Sequence, residues 1–283
     1  MTHTLRRFGP GPLVLLCLLV TAVSAGDDRI ATDAAKQDWE KVTETWFDDL
    51  QPGKTVHLTN PHGNVYCRFG GYEPRVEIIG TFQRLDDQAL PALTVRRTIA
   101  ANGDLEVEAV FGDGAASGDG SPRVRRDRVD IVVFLPKGIH LEVQTEDGMV
   151  EAKKLQSDFG FRSSTGTLMA RGIKGTVHAS SDRGRLQVFL DNGHTDQLQE
   201  FVTVTGEIEL TLWEDATQDV TLATSGEIST DFSLQFEYKN FEEPGKIATA
   251  TTNGGGPAVR LHSQRGPIRL LRQQRDFTPA ENR

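Results

Sequence analysis

The feature that most constrains this chain is a turn ending in glycine, followed by a short alternating strand, that recurs along the sequence. Successive glycines of the five consecutive copies lie 18, 18, 22 and 20 residues apart. With two outlying copies, the central glycines are Gly63, Gly148, Gly166, Gly184, Gly206, Gly226 and Gly266. A repeat of about this length is typical of stacked units that are each too small to bury their own apolar face.

The residues around each glycine predict a buried column. The second residue after the glycine is aliphatic in every copy and the fourth is small or apolar, so both lie on one face of a strand. Five copies also carry an apolar pair seven and five residues before the glycine. In the Gly206 and Gly226 copies we place this pair closer, at Val202/Val204 and Leu222/Thr224. The residues two places beyond the glycines are expected to form one dry column: Val65, Val150, Leu168, Leu186, Ile208, Ile228 and Ile268.

The fold predicted from this repeat is all-β, a β-solenoid or β-roll whose strands stack about 4.8 Å apart. Two strands of about five residues and two turns fill one unit. Glycine suits the turn because it takes a positive φ without a Cβ clash. A hexapeptide helix fits less well because no six-residue aliphatic period is sustained, and a twisted antiparallel sandwich of hairpins stays open as the alternative.

The segments outside the regular ladder are predicted separately. Further strands are expected near residues 64–68, 75–82, 92–99, 105–111 and 127–135. A near-helical apolar spacing favours a short coil or helix at the N-terminus, and it is set by Trp39, Val42, Trp46 and Leu50. A strand over residues 44–50, paired with residues 55–58, should follow. Residues 112–122 are rich in glycine and are predicted to form a mobile loop.

The N-terminus has the pattern of a secretory signal. Arg6 and Arg7 precede a short apolar core that ends in the small residues Val23-Ser24-Ala25. This apolar run is too short for a membrane span. The predicted organisation is a signal peptide (1–25), a flexible leader (26–41), a single domain (42–271) and a polar tail (272–283). The protein is therefore expected to be exported, either to the periplasm or to the cell surface.

Charge and cysteine content narrow the function further. The formal net charge is −9, and loss of Arg6 and Arg7 with the signal leaves 29 − 40 = −11. An acidic surface argues against nucleic acid and anionic membrane as main partners. Cys67 is the one cysteine after the signal, so an internal disulfide is excluded. Its inward position in the repeat predicts a buried hydrophobe rather than a catalytic thiol.

A search for catalytic and nucleotide-binding motifs finds none. His-Glu-x-x-His, Cys-x-x-Cys and Gly-x-Ser-x-Gly are absent. Gly53-Lys54-Thr55 imitates the end of a P-loop, but Asp48 stands where its first glycine is needed. No two histidines share the short spacing of a zinc pair. We therefore predict no catalytic, cofactor-binding or metal-binding residue and no cofactor.

The charged residues on the ladder are predicted to be structural rather than catalytic. A solvated acidic ladder, with or without calcium, is favoured over a catalytic pair for the outward carboxylates, because outward strand positions are normally polar. These are Glu207, Glu209, Glu227 and Asp231, and Glu207 is expected to stack on Glu227. Two basic runs are predicted to guard strand edges: Arg123, Arg125, Arg126 and Arg128, and Arg265, Arg269, Arg272 and Arg275.

Three motifs carry a resemblance to a known family. They are Pro52-Gly53-x-x-Val56-x-Leu58-x-Asn60-x-x-Gly63-x-Val65, then Val129-Asp130-Ile131-x-Val133-x-Leu135-Pro136-x-Gly138-x-x-Leu141-x-Val143, and the Ser/Thr-x-Gly ladder. Together they resemble the bacterial putative-adhesin domain, a β-solenoid-like family of exported proteins also described as a domain of unknown function. The resemblance covers about residues 42–271 and departs from the pattern at Lys54 and over residues 234–246. It implies surface adhesion and carries over no catalytic residue.

The function expected from these features is a non-enzymatic exported module for binding, adhesion or envelope scaffolding. Its partner would be an unknown envelope or surface ligand, a glycan or a protein. The alternative is a carbohydrate-active enzyme on a β-helix that uses the outward carboxylates. That alternative needs aromatic platforms, and few aromatic residues are expected to point outward from the ladder.

Overall fold

A computed structural model describes residues 39–85, 93–111, 127–191, 195–239 and 242–275 of the chain. In these ranges the protein is all-β, with strands numbered to β21 and no helix. The predicted signal peptide, nearly all of the leader, the glycine-rich loop and the end of the tail lie outside the described residues. None of the described segments is a helix that could cross a membrane.

Most strands are short, as expected for a ladder of small units. The first part of the chain contains β1 (Trp39–Asp49), β2 (Thr55–Thr59), β3 (Val65–Gly71), β4 (Arg75–Leu85), β5 (Thr94–Ile99), β6 (Leu105–Val110) and β7 (Arg128–Pro136). The regular ladder contains β8 (His140–Thr145), β9 (Met149–Lys153), β10 (Phe159–Ser163), β11 (Thr167–Arg171), β12 (Val177–Ser181), β13 (Leu186–Leu190), β14 (Gln199–Thr203) and β15 (Ile208–Trp213). The last part contains β16 (Asp219–Thr224), β17 (Ile228–Thr230), β18 (Gln235–Tyr238), β19 (Lys246–Thr251), β20 (Ala258–Ser263) and β21 (Ile268–Gln273).

The strands form two mixed sheets that share one hydrophobic core. Sheet A has ten strands in the order β1-β4-β7-β3-β9-β11-β13-β15-β21-β17, and sheet B has eleven in the order β18-β19-β16-β20-β14-β12-β10-β8-β2-β6-β5. From β8 to β15 the chain alternates between the sheets, and each strand pairs in parallel with the one two places later in sequence. Antiparallel strands lie at both ends of sheet B and at the β1 end of sheet A.

The predicted apolar column is confirmed. The residues two places beyond the glycines are paired with one another through successive strands of sheet A. All except Ile228 are 0% exposed, and Ile228 is partly buried against the same core. In spatial order the column reads Val65, Val150, Leu168, Leu186, Ile208, Ile268 and Ile228.

The spatial order of this column differs from the sequence order at its end. Strand β21 lies between β15 and β17, so Ile268 pairs with both Ile208 and Ile228. In sheet B, β20 lies in the same way between β14 and β16. The chain therefore places β16 and β17 two strand positions beyond β14 and β15. Its last two strands, β20 and β21, then fill the gap between them.

The glycines are required by the close approach of the layers more than by an unusual φ. Only Gly63 and Gly148 of the seven have a positive φ, at 127° and 99°. A Cβ on Gly184 would lie 1.9 Å from the carbonyl oxygen of Gly166, and a Cβ on Gly206 would lie 2.1 Å from that of Gly184. The sequence-based explanation, that the turn needs a positive φ, is therefore wrong for most copies. Glycine is needed there because any side chain would collide with the backbone of the next layer.

A buried polar column runs beside the glycines. Ser181 Oγ accepts a hydrogen bond from the Gly184 N–H at 2.9 Å and donates one to the Gly166 carbonyl at 3.1 Å. Ser163 Oγ accepts from the Gly166 N–H at 2.7 Å in the same way. Each hydroxyl thus closes its own turn and can tie it to a neighbouring layer, a net stabilisation of about 1 kcal/mol per bond. The buried members three places before a glycine are Thr145, Ser163, Ser181, Thr203 and Ser263.

The inward pair assigned to the Gly206 copy is wrong. Val202 is half-buried and Val204 is 40% exposed, whereas Phe201 is 0% exposed and faces the core. Gln199 takes the other inward place, where its Oε1 accepts the N–H of Val177 at 2.9 Å. The inward pair of this copy therefore lies seven and five residues before its glycine, as in the other copies. The sequence pattern did not show this because one of the two inward residues, Gln199, is polar.

The prediction for the N-terminus is also wrong. The segment predicted as coil or helix begins β1, which pairs antiparallel with β4 rather than with β2. As an edge strand, β1 leaves Val42 and Phe47 about half exposed, at 47% and 50%. Trp46 lies over Gly80 of β4 and meets Phe82 edge-on, with ring centroids 6.3 Å apart. Val42, Trp46 and Leu50 lie four residues apart, a spacing that fits one face of a strand as well as one face of a helix.

Cys67 is expected to resist thiol reagents until the protein unfolds. The side chain is 0% exposed, and burial raises the pKa of its thiol far above the ordinary value. In a protein that begins at residue 26, labelling by iodoacetamide should be at least about a hundredfold slower in native buffer than in denaturant. Mass spectrometry of timed samples measures both rates, and fast native labelling would contradict the inward position.

Candidate functional site

The outer face of sheet A carries the strongest candidate site. The residue five places beyond each glycine points outward there, and neighbouring copies are paired across adjacent strands. In spatial order this row reads Arg68, Lys153, Arg171, Phe189, Thr211 and Leu271. Since adjacent strands lie about 4.8 Å apart, a cationic half of the row passes directly into an apolar half.

Two adjoining hollows form a groove across this row. One has a volume of about 500 Å³ and reaches towards the turns after β9 and β11. The other has a volume of about 450 Å³ and lies over the strands themselves. Volumes of this size are typical of small-ligand sites. We call the combined surface the aromatic–cationic groove and define it by Lys153, Lys154, Arg171, Lys174, Phe189 and Trp213.

An aromatic pair forms the wall shared by both hollows. Phe189 and Trp213 meet edge to face, with ring centroids 4.8 Å apart and an interplanar angle of 89°. The indole N–H of Trp213 donates to Asp191 Oδ1 at 3.2 Å, which fixes the ring. Arg275 lies over the same ring at 5.2 Å from the centroid. The expectation that few aromatics point outward missed this pair.

One lysine of the groove is already engaged. Lys153 Nζ lies 2.9 Å from Glu151 Oε2, and the guanidinium of Arg68 contacts the other carboxylate oxygen. The hydrogen bond from Lys153, with a further contribution from Arg68, holds the pKa of Glu151 below its usual range. Glu151 therefore stays ionised and neutralises part of the charge at this end of the row.

The other three cations of the groove have no acidic partner among the described residues: Lys154, Arg171 and Lys174. Lys154 adopts a left-handed conformation with φ 57°, and its N–H donates to the Arg171 carbonyl at 3.0 Å. Asp191 is the acid that lines the groove, and its carboxylate accepts the indole N–H. The groove therefore carries an excess of positive charge.

A separate hollow, of about 340 Å³, lies on the outer face of sheet B. It forms because Gly160 places no side chain between Glu142 and His178 on the flanking strands. His57 Nδ1 is 3.4 Å from Glu142, and its Nε2 is 3.8 Å from Asp104. Backbone hydrogen bonding from Thr55 holds the pKa of Asp104 below its usual range. The acids that line it are paired within the protein, Glu142 with His57 and Glu200 with Arg260, and the hollow is smaller, so it is the weaker candidate.

The outward carboxylates at the start of β15, Glu207 just before the strand and Glu209 within it, do not form a free pair. Glu209 is only 7% exposed, because Arg185 Nη2 and Gln187 Nε2 hold its carboxylate at 2.6 and 2.7 Å. Glu207 lies 3.0 Å from Arg269 Nε and 3.4 Å from Arg185 Nε. Each carboxylate is therefore committed to an arginine rather than aimed into a cleft.

The other two predicted carboxylates, Glu227 and Asp231, flank β17, which is separated from β15 by β21. The predicted stacking of Glu207 on Glu227 is wrong, because the β21 layer lies between their strands. Asp231 Oδ2 accepts the backbone N–H of Arg272 at 2.9 Å and so closes the end of the β17–β21 pair. Glu207, Glu209 and Asp231 thus bond to other residues of the ladder, and the four acids do not meet at one site.

Metal ligands and the basic runs can be placed within the described ranges. There, no group of three or more His, Cys, Asp or Glu side chains could hold a metal ion.

Arg128 and Arg269 lie on strands inside sheet A, so they do not guard a free edge. Arg265 pairs with Glu243 at 3.0 Å, and this hydrogen bond holds the pKa of Glu243 below its usual range. Arg272 donates to the Asp231 carbonyl at 2.8 Å, and Arg275 pairs with Asp215 at 3.2 Å. The other predicted edge residues, 123, 125 and 126, lie outside the described part.

Comparison with known proteins finds resemblance only among solved structures. No family model matches the chain, and no curated protein matches it. A putative cell adhesion protein from Clostridium sporogenes aligns at 14% identity and TM-score 0.46, over 83% of this chain and 100% of that one. A putative adhesin from Bacteroides fragilis aligns at 13% identity and TM-score 0.33, over 83% and 97%. Both names belong to the class of protein that the three motifs resemble.

Proposed function

We propose that the chain is an exported, non-enzymatic binding and adhesion module, a single β-solenoid domain over residues 42–271 that binds an envelope or surface glycan. The observation that carries the proposal is the aromatic–cationic groove, in which Phe189 and Trp213 adjoin unpaired cations on the outer face of a strand ladder. Concave sites with aromatic walls and a few polar groups are typical ligand sites.

The support beneath the groove favours a preformed site. Lys153, Arg171, Phe189 and Trp213 project from β9, β11, β13 and β15, which pair in parallel and in register. The inward residues of these strands, such as Val150, Leu168 and Leu186, are 0% exposed. Side chains anchored on such strands hold their positions better than side chains on loops, and repeat proteins use extended faces of this kind for binding.

The state of the carboxylates supports binding rather than hydrolysis. A glycoside hydrolase needs two carboxyl groups about 5–9.5 Å apart, with one free to donate a proton and the other to attack or to activate water. Glu207 and Glu209 are held by Arg185 and Arg269. These two outward acids therefore serve ion pairs of the ladder itself.

Phe189→Ala is expected to weaken glycan binding by at least about tenfold, because it removes a wall of both hollows. Binding of the purified protein to an array of envelope polysaccharides, and to intact cells of the source organism, measures the effect. Phe134→Ala is the matched control, since Phe134 is an outward aromatic of β7 on the same sheet and lies outside the groove.

Three outcomes would contradict the proposed function. One is no binding at micromolar concentration to any polymer or cell. Another is equal binding by the Phe189→Ala and Phe134→Ala proteins, which would move the contact away from the groove. Cleavage of a polysaccharide by the unmodified protein would replace the binding role with the enzymatic alternative. Thermal melting of each variant separates lost contact from lost fold.

A further inference from the structure

The charge of the groove is opposite to that of the chain that carries it. The whole protein has a formal net charge of −9. Yet Lys154, Arg171 and Lys174 meet at the groove without an acidic partner among the described residues. A local cluster of unpaired cations favours an anionic group at that place, and the acidic remainder disfavours binding of the same group elsewhere.

The position of the cations relative to the aromatic wall defines the shape of the ligand. Arg171 and Phe189 are direct partners on adjacent strands, and Lys153 pairs with Arg171 on the other side. A ligand lying across these strands meets positive charge and an aromatic side chain within about 5 Å of each other. This spacing fits a ring with an apolar face that carries an acidic substituent.

The backbone at the rim gives an independent indication. Lys154 and Asn253 are the non-glycine residues with a positive φ in the described ranges. A left-handed conformation disfavours lysine, and such residues cluster at functional sites. The hydrogen bond from Lys154 N–H to the Arg171 carbonyl holds this conformation and places both cations on one rim.

Amide and hydroxyl side chains interrupt the largely apolar lining between the charges. Gln156 borders one hollow, while Gln187, Thr211 and Gln273 border the other. Amide and hydroxyl groups of this kind exchange hydrogen bonds with hydroxyl-bearing ligands. An acyl chain would need a continuous apolar slot instead, so this lining favours a sugar over a lipid.

We propose that the ligand of the aromatic–cationic groove is an acidic saccharide, a sugar polymer whose rings carry carboxylate or sulfate groups. The inference rests on the binding function proposed above for the same groove. Arg171 supplies a fork that matches an anionic oxygen pair, Lys154 and Lys174 add charge at the rim, and Phe189 receives the apolar face of the ring.

Polygalacturonate and its fully methyl-esterified form provide a matched pair of probes, because they share one backbone and differ in charge. We expect the purified protein to bind polygalacturonate at least about tenfold more tightly than the ester. Arg171→Gln should remove most of this difference. Arg183→Gln is the control, since Arg183 is an exposed turn residue outside the hollows of both sheets, with no ion pair among the described residues. Dextran sulfate and dextran test the sulfate source in the same assay.

The outcomes separate this inference from the function on which it rests. Equal binding of acidic and neutral polymers that is lost in Phe189→Ala would overturn the acidic ligand and leave the glycan-binding role standing. Equal binding of polyglutamate and polygalacturonate would overturn the saccharide. Preference for anionic phospholipid vesicles over every polymer would replace it with a lipid. Binding to cells without binding to any acidic polymer would also overturn the inference.

Discussion

Replacement of Gly184 by alanine is expected to lower the free energy of unfolding by about 3–5 kcal/mol. The new Cβ would lie 1.9 Å from the carbonyl oxygen of Gly166 in the neighbouring layer, so the layer would have to move. That movement would also strain the hydrogen bond from the Gly184 N–H to Ser181 Oγ, now 2.9 Å. Urea denaturation followed by circular dichroism measures the change as a lower midpoint.

Gly160→Ala is the control for this substitution, because it adds the same methyl group to a neighbouring layer. The nearest atom to a Cβ there is Cγ of the Glu142 side chain at 3.2 Å, which can move aside. Its effect should stay within about 1 kcal/mol. If Gly184→Ala and Gly160→Ala had equal midpoints, close stacking of the glycines could not be what selects them.

The inward face of the ladder could be predicted from the sequence because it depends on strand periodicity alone. A period of two assigns Val150, Leu168 and Leu186 to one face whatever the detailed turn geometry. Pairing then brings these residues together, and all three are fully buried. The same rule failed at Gln199, because a polar residue at an inward position carries no hydrophobic signal although its side chain bonds the Val177 N–H.

The order of the layers could not be predicted in this way. All copies offer similar aliphatic side chains to a neighbour, so the repeat does not encode which copy adjoins which. The Gly266 copy enters between the Gly206 and Gly226 copies only after the β18–β19 hairpin has returned the chain. This insertion separates Glu207 from Glu227 and places Arg269 beside Glu207, so the sequence-based view of the acids depended on a wrong neighbour.

Half of the candidate site was visible in the sequence. The fifth residue after the glycine is Lys153, Arg171 and Phe189 in three successive copies, and a comparison of outward positions would have found them. Trp213 follows its glycine by seven residues, and Lys154 and Lys174 lie beyond their strands. The approach of the two lysines to the row depends on turn conformations that the repeat does not specify, such as the left-handed φ of 57° at Lys154.

Phe201→Ala is the second substitution with a large expected effect, and it tests the corrected register of β14. Phe201 is 0% exposed and pairs with Ala179 and Leu261 on the flanking strands. Truncation of a buried phenylalanine removes its burial free energy and leaves a cavity, which costs about 3–5 kcal/mol. Urea denaturation should show this loss as a lower midpoint with an unchanged slope.

Val202→Ala supplies the comparison, because Val202 is the next residue and lies on the opposite, half-buried face. Its cost should stay below about 1 kcal/mol. The inward pair first assigned from the sequence, Val202/Val204, requires the reverse order of effects. A larger loss in Val202→Ala than in Phe201→Ala would therefore shift the strand by one residue, and a one-residue shift turns every side chain of β14 to the other face.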